Sequence, residues 1–178
     1  MKSWVLGLTM TGLLACAPVQ RPDGGVGLLP IGSSAPDIVA RDATQNEVHL
    51  SDLRGRVVVV YFYPADGTPG CTAEACAFRD AWKKYDASHV SVIGVSTDGA
   101  ESHRKFQHDE KLPFPLAADE NGSIGKAYGV TKTVLGYDRV SFLVDGQGRV
   151  VRVWSEVDPG VHADEVLREA KRVQRDAL

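Results

Sequence analysis

The run Arg56-Val-Val-Val-Val-Tyr-Phe-Tyr63 limits the fold of this chain more than any other stretch. Its residues are mostly β-branched or aromatic, with no polar alternation. A strand with one wet face alternates with a period of two; this one does not, so both of its faces must be covered. Pro64 ends it, since proline cannot donate to a strand ladder. A doubly covered strand needs a layer above and a layer below, and the following sequence offers helices. Thr72 to Tyr85 is rich in Ala, Glu, Lys and Arg, and its apolar residues Ala75, Phe78, Trp82 and Tyr85 fall 3, 4 and 3 residues apart, on one helical face. Val90-Ser-Val-Ile-Gly-Val-Ser96 reads as a second buried strand, and Ala100 to Glu110 as a polar helix. Pro113 and Pro115 mark a break with a short extended piece, and Asn121 to Tyr128 forms a short helix ended by Gly129.

The flanks complete the sheet. Ile38-Val-Ala-Arg41 and Glu47-Val-His-Leu50 are strand candidates around a turn at Thr44-Gln-Asn46. Ser141-Phe-Leu-Val-Asp145 and Val150-Val-Arg-Val-Trp154 form a hairpin around Gly146-Gln-Gly148. Val161 to Ala177 closes the chain as a helix, with His162, Glu165-Val-Leu167, Ala170 and Val173 at face spacing. The order β-β-β-α-β-α-α-β-β-α predicts an α/β fold, a mixed central sheet with helices on both faces. The 178 residues suffice for one domain, and no internal repeat appears.

The first residues are of another kind. Met1-Lys-Ser-Trp leads into the apolar run Val5 to Leu14. That is too short for a membrane span, which needs about 20 residues, but it suits the apolar region of an export signal. The run ends at Leu13-Leu14-Ala15-Cys16, which resembles the lipobox of bacterial lipoproteins. That resemblance implies cleavage after residue 15, lipid on Cys16, and a periplasmic, membrane-anchored location. Acyl chains hold by about 0.8 kcal/mol per buried methylene. An ordinary signal peptide with an incidental Cys16, or a buried N-terminal segment, are the other readings. Residues 16–31, with Pro18, Pro22, Gly24, Gly25 and Gly27, are expected as a flexible tether, and the domain is expected over 32–178. The formal net charge of -3 and the lack of a basic patch with interleaved aromatics argue against nucleic acid as a partner.

Two cysteines remain for the domain. Cys71 follows Pro69-Gly70 where the first buried strand gives way to a helix. Proline is pre-shaped for a first helical turn, and glycine lets a backbone approach a ligand closely. A cysteine there meets unpaired N–H groups and the positive dipole end. Both favour thiolate, the nucleophilic form, and the same amides can hold a developing oxyanion. Packing as a small hydrophobe is the alternative for Cys71. Thr68 can cap the helix, touch a substrate, or do both. Cys76 lies five residues on. In a continuous helix that is about 7.5 Å of rise and about 140° away in direction, whereas a disulfide needs Cα atoms within roughly 7 Å and converging Cβ vectors. A static bridge is therefore disfavoured. Two states remain open, a reduced helix and an oxidised form with its first turns unwound, and so does a purely packing Cys76. The spacing fits neither C-x-x-C nor a zinc site.

The pattern Tyr63-Pro64, Thr68-Pro-Gly-Cys71-Thr-Ala-Glu74-Ala-Cys76 and Phe78-Arg79-Asp80 resembles that of the peroxiredoxins, specifically the bacterioferritin comigratory protein or peroxiredoxin Q group. Pro64, Thr68 and Cys71 match the P-x-x-x-T/S-x-x-C motif, and the similarity runs from about Gly32 to the C-terminus. The resemblance implies a thioredoxin-like fold and a thiol-dependent peroxidase acting on hydrogen peroxide or organic hydroperoxides. It makes Cys71 the peroxidatic and Cys76 the resolving cysteine. Thr68 would orient the peroxide, Pro64 would shape the pocket, and Arg139 would be the catalytic arginine. It further implies no cofactor and no metal, a thioredoxin-like reductant, and a monomer. Asp66 stands where many relatives carry lysine, so the pocket rim is expected to be more acidic. Glu74 either pairs with a pocket arginine or only occupies a favourable helix start. His49, His89, His103, His108 and His162 follow no ligand spacing and are expected on the surface. An exported thiol–disulfide oxidoreductase would want C-x-x-C, and a copper-handling module on a similar fold C-x-x-x-C; neither is present.

Overall fold

The computed structural model describes residues 18–42 and 46–176. The signal-like residues 1–15, Cys16, and Thr44 and Gln45 of the expected turn lie outside the described residues. The elements run β1 (Val39–Arg41), β2 (Glu47–His49), a 3-10 turn (Leu50–Leu53), β3 (Val57–Phe62), α1 (Pro69–Asp80), α2 (Trp82–Ala87), β4 (Val90–Ser96), α3 (Ala100–Glu110), β5 (Leu116–Ala118), α4 (Ser123–Tyr128), β6 (Lys132–Thr133), β7 (Gly136–Tyr137), β8 (Val140–Val144), β9 (Val150–Trp154) and α5 (His162–Asp176). No helix among the described residues is long and apolar enough to cross a membrane.

The central sheet has the order β5-β4-β3-β8-β9. β3 sits in its middle, parallel to β4 and antiparallel to β8. All six β3 residues are buried, as its unbroken apolar run requires. Alternate side chains serve opposite layers. Val57, Val59 and Tyr61 join Tyr63, Cys71, Phe78, Phe106 and Val166, under α1, α3 and α5. Val58, Val60 and Phe62 join Leu29, Ile38, Ile124, Tyr128 and Tyr137, under α4 and the N-terminal segment. The expected mixed sheet with helices on both faces, the thioredoxin-like arrangement, is the one the chain adopts.

The structure differs from the sequence-based expectation in three places. The helix expected over Thr72 to Tyr85 is two, α1 and α2, broken at Ala81. After Ala81 N–H bonds to Ala77 O, the next bond tightens to Lys84 N–H on Ala81 O, which redirects the following turn while Phe78 and Tyr85 stay in the core. A small hairpin, β6-β7, joins α4 to β8. Finally, the segment 16–31 expected as a tether is folded from Pro18 onward, so packing begins before Gly32. Arg21 is only 9% exposed. Its guanidinium donates to the carbonyls of Gly27 at 2.7 Å and Leu28 at 3.1 Å, and Leu29 N–H bonds to Tyr128 O at 3.0 Å. The glycines that suggested flexibility make this turn possible: Gly24 and Gly27 have φ of 84° and 73°, values that cost other residues strain.

Candidate active site

β3 and α1 build the site between them. β3 ends at Phe62, and the loop 63–68 carries the chain to Pro69, the first residue of α1. Thr72 N–H bonds to Thr68 O at 2.8 Å, closing the first turn. The amides of Gly70 and Cys71 precede that bond and so lie at the helix's positive end. Cys71 is buried, 1% exposed, against Tyr61, Tyr63 and Phe78. The Tyr61 ring stacks on Tyr63 at 5.3 Å and on Phe78 at 5.1 Å. This aromatic wall keeps water off one side of the sulfur and strengthens any charge interaction on the other.

Arg139 supplies that charge. It immediately precedes β8, and its Nη2 lies 3.4 Å from Cys71 Sγ. A Cβ on Gly70 would stand 3.2 Å from Nη2, so the glycine leaves room for the guanidinium. Nη1 pairs with Glu74 Oε2. Of the two readings of Glu74, the pairing with a pocket arginine is the one observed, since Glu74 is fully buried at 0% exposure. Burial pushes its carboxyl up to about 7, against the pull of Arg139. Its Oε1 finds no partner. Burial lowers the Arg139 pKa, but the Glu74 carboxylate and the Cys71 sulfur outweigh that and leave it raised. One cation thus serves two acidic groups a helical turn apart.

Thr68 and Pro64 occupy the loop. Thr68 is at the N-cap position in extended conformation but makes no side-chain cap bond. Its Oγ1 donates to Ala65 O at 3.1 Å, which leaves its lone pairs free to accept. Pro64 packs against the β6-β7 hairpin: a Cβ on Gly136 would fall 1.9 Å from Pro64 O, so only glycine fits there. Cys76, on the same helix, is half-buried, and both cysteines are free thiols. It faces Glu110 of α3, with Sγ 3.3 Å from Oε2.

Several polar groups lie elsewhere than the sequence alone predicts. Asp66 does not line an acidic rim; its side chain is 6% exposed. Tyr63 OH donates to it at 2.7 Å, Ser102 Oγ at 2.7 Å, and His103 Nδ1 lies 2.8 Å away. Burial alone would raise its carboxyl, but these partners hold it below the ordinary value. This cluster pins the loop before Cys71 to α3. Two of the histidines expected on the surface, His103 and His162, are fully buried. His162 lies 2.8 Å from Ser141 Oγ, and burial together with the nearby Arg139 pushes it down to about 4. The partners in these clusters are remote in sequence, 37 residues apart for His103 and Asp66 and 21 for His162 and Ser141, so no local pattern signals them. A cavity of about 960 Å³ lies at the opposite end of β3, lined by Gly55, Val57, His89, Asp145 and Arg172 among others, and includes no residue of this site. Among the described residues no group of three or more His, Cys, Asp or Glu side chains is placed to hold a metal ion.

Comparison with known proteins places this geometry in context. Residues 31–153 match the model of the AhpC/TSA family. The chain is 38% identical over 150 residues to peroxiredoxin Bcp of Bacillus subtilis (strain 168), covering 80% of this chain and 96% of that protein. It is 43% identical over 140 residues to chloroplastic peroxiredoxin Q of Oryza sativa subsp. japonica, covering 77% of this chain but only 64% of the rice protein. Among solved structures, the crystal structure of peroxidoxin BcpB from Mycobacterium tuberculosis superimposes with a TM-score of 0.76 at 34% identity, over 82% of this chain and 98% of that one. Xanthomonas campestris peroxiredoxin Q does so with a TM-score of 0.73 at 31% identity, over 82% and 97%.

Proposed function

Because the chain belongs to the AhpC/TSA family, within its peroxiredoxin Q and Bcp group, we propose that it is a thiol-dependent peroxidase. It reduces hydrogen peroxide and organic hydroperoxides and is itself re-reduced by a thioredoxin-like protein. One observation carries the reading: Arg139 Nη2 lies 3.4 Å from the sulfur of Cys71, at the amino end of α1.

The steps follow from that placement. Arg139 and the amino end of α1 set positive charge beside the Cys71 sulfur, the attacking atom. The thiolate attacks the terminal peroxide oxygen. The S–O bond forms as the O–O bond breaks, Cys71 becomes a sulfenic acid, and the alkoxide leaves and takes a proton to become an alcohol, or water from hydrogen peroxide. Arg139 and the amides of Gly70 and Cys71 face the charge as it moves onto the leaving oxygen. Thr68 Oγ1, already donating to Ala65 O, accepts from the peroxide O–H and aligns it. Pro64 shapes the wall beside it. α1 then opens, and Cys76 attacks the sulfenic sulfur, forming the Cys71–Cys76 disulfide and releasing water. A thioredoxin-like dithiol reduces this disulfide by exchange.

The leader supports a further part of the reading: export, with lipid on Cys16 holding the domain on the periplasmic side of a membrane; the family resemblance adds that the protein acts as a monomer. Fatty-acid labelling that is lost in Cys16→Ala, together with cell fractionation and size-exclusion of the processed protein, tests it. The peroxidase itself is tested by peroxide consumption driven by a thioredoxin-like donor. Consumption is expected in the wild type and absent in Cys71→Ser; full turnover in Cys71→Ser overturns the mechanism.

A further inference from the structure

Cys76 and Arg79 of α1 meet Glu110, the last residue of α3. The Cys76 thiol donates to Glu110 Oε2 across 3.3 Å. Arg79, one turn further on, donates from Nη1 to the Glu110 backbone carbonyl at 2.7 Å and stands 3.7 Å from Oε2. Three charged groups therefore bear on this thiol: Glu110 from α3, and Arg79 and Asp80 from its own helix. We propose that Glu110, steadied by Arg79, is a positioning residue that keeps Cys76 a protonated thiol on the folded helix and so sets the rate at which it closes on an oxidised Cys71. This rests on the peroxidase reading above.

The chemistry of closure explains the effect. The Cys76 sulfur must lose its proton to attack the sulfenic sulfur of Cys71. The S–S bond forms, the S–O bond breaks, and the departing hydroxide leaves with the proton as water. While Cys76 rests on Glu110, a thiolate would face a carboxylate at hydrogen-bond distance. Burial pushes the thiol up first, and the bond to Glu110 adds to it. Unwinding the first turns of α1 draws Cys76 off Glu110 and removes that restraint. Arg79 stays on the Glu110 carbonyl, so the opening stops before the last turn. The folded helix, with Cys71 ready for peroxide, is thereby kept until oxidation has occurred.

The test follows both steps in the full chain by rapid quench, thiol alkylation and mass spectrometry across neutral to alkaline pH, using hydrogen peroxide, in wild type and Glu110→Gln. Oxidation of Cys71 is expected to be unchanged. Disulfide closure is expected to be faster at neutral pH, by about tenfold for each unit that its pH midpoint falls. A parallel measurement in the Cys71→Ser background reads the alkylation rate of Cys76 against pH, where adding Glu110→Gln is expected to lower the midpoint. It needs no opening of the helix on the reaction path. Slower closure in Glu110→Gln would make Glu110 a base rather than a restraint and overturn the proposal. Faster closure with an unmoved midpoint would reduce Glu110 to a helix prop and overturn it too. A wild type in which peroxide never oxidises Cys71 would instead sink the peroxidase reading.

Discussion

Cys71 and Cys76 share one helix and meet opposite charges. Cys71 sits in the first turn, fully buried, with a guanidinium 3.4 Å from its sulfur. Cys76 sits a turn and a half on, half-buried, with a carboxylate 3.3 Å away. A cation faces the first sulfur, while burial and the bond to the Glu110 carboxylate push the second thiol up. Sequence position alone does not distinguish the surroundings of the two thiols; the cation just before β8 and the anion at the end of α3 do. Both partners are remote in the chain, Arg139 68 residues from Cys71 and Glu110 34 residues from Cys76. The fold must therefore be complete before the difference exists.

The comparison breaks most severely when Cys71 is replaced. In Cys71→Ser, donor-driven peroxide consumption is expected to fall to the uncatalysed background, as read by loss of peroxide absorbance. Removing the cation comes next. Arg139→Lys keeps the charge but loses the planar fork that reaches Sγ and Glu74 together. The rate of Cys71 oxidation is expected to fall about 10²-fold to 10³-fold by stopped-flow, the range for losing one oxyanion donor. Thr68→Val, which deletes one acceptor, is expected to cost about 1 kcal/mol, roughly fivefold, in the same assay, while Thr68→Ser stays near wild type.

In the wild type the smallest effect is on the pH dependence of stability, because two opposite shifts offset each other, and its sign is specific. The Glu74 carboxyl is pushed from 4.5 up to about 7. Between those values the folded state holds a proton that the unfolded chain has lost, so stability falls as pH rises. His162 is pushed from 6.5 down to about 4. There the unfolded chain holds the extra proton, so stability rises with pH. Over their shared window the two oppose, and urea denaturation of the wild type is expected to show little slope from this pair. Glu74→Gln should leave a stability that rises with pH, by at most about 1.4 kcal/mol per unit. His162→Gln should leave one that falls until about pH 7. Parallel slopes in both variants would contradict the assigned environments.

Much of this fold is legible in the sequence because its strands are doubly covered. β3 and β4 announce themselves by continuous apolar runs, α3 by its polar composition and bounds, and the β8-β9 hairpin by Gly146 and Gly148. The Cys71 loop is legible for a local reason too, since Pro69 and Gly70 define a helix start. What is not legible arises from contacts between distant segments. The break at Ala81 keeps the apolar spacing intact, so periodicity does not reveal it. The segment around Arg21 has the composition of a linker, yet its guanidinium collects carbonyls that only a folded turn presents. Asp66 and His103 are charged or polar residues that a single sequence assigns to solvent; each is buried because the other is there. Glu74 was readable as one of two alternatives, and only the arrival of β8 with Arg139 selects between them.

If the two thiols differ in kind, peroxide meets Cys71 first. The most direct measurement adds one equivalent of hydrogen peroxide to the reduced protein. The reaction is trapped within its first phase, and the sulfur that carries the oxygen is mapped by peptide mass spectrometry in wild type and in Cys76→Ser. Sulfenic acid is expected on Cys71 in Cys76→Ser, and a Cys71–Cys76 disulfide in the wild type. Oxygen found on Cys76 with Cys71 still reduced would contradict it.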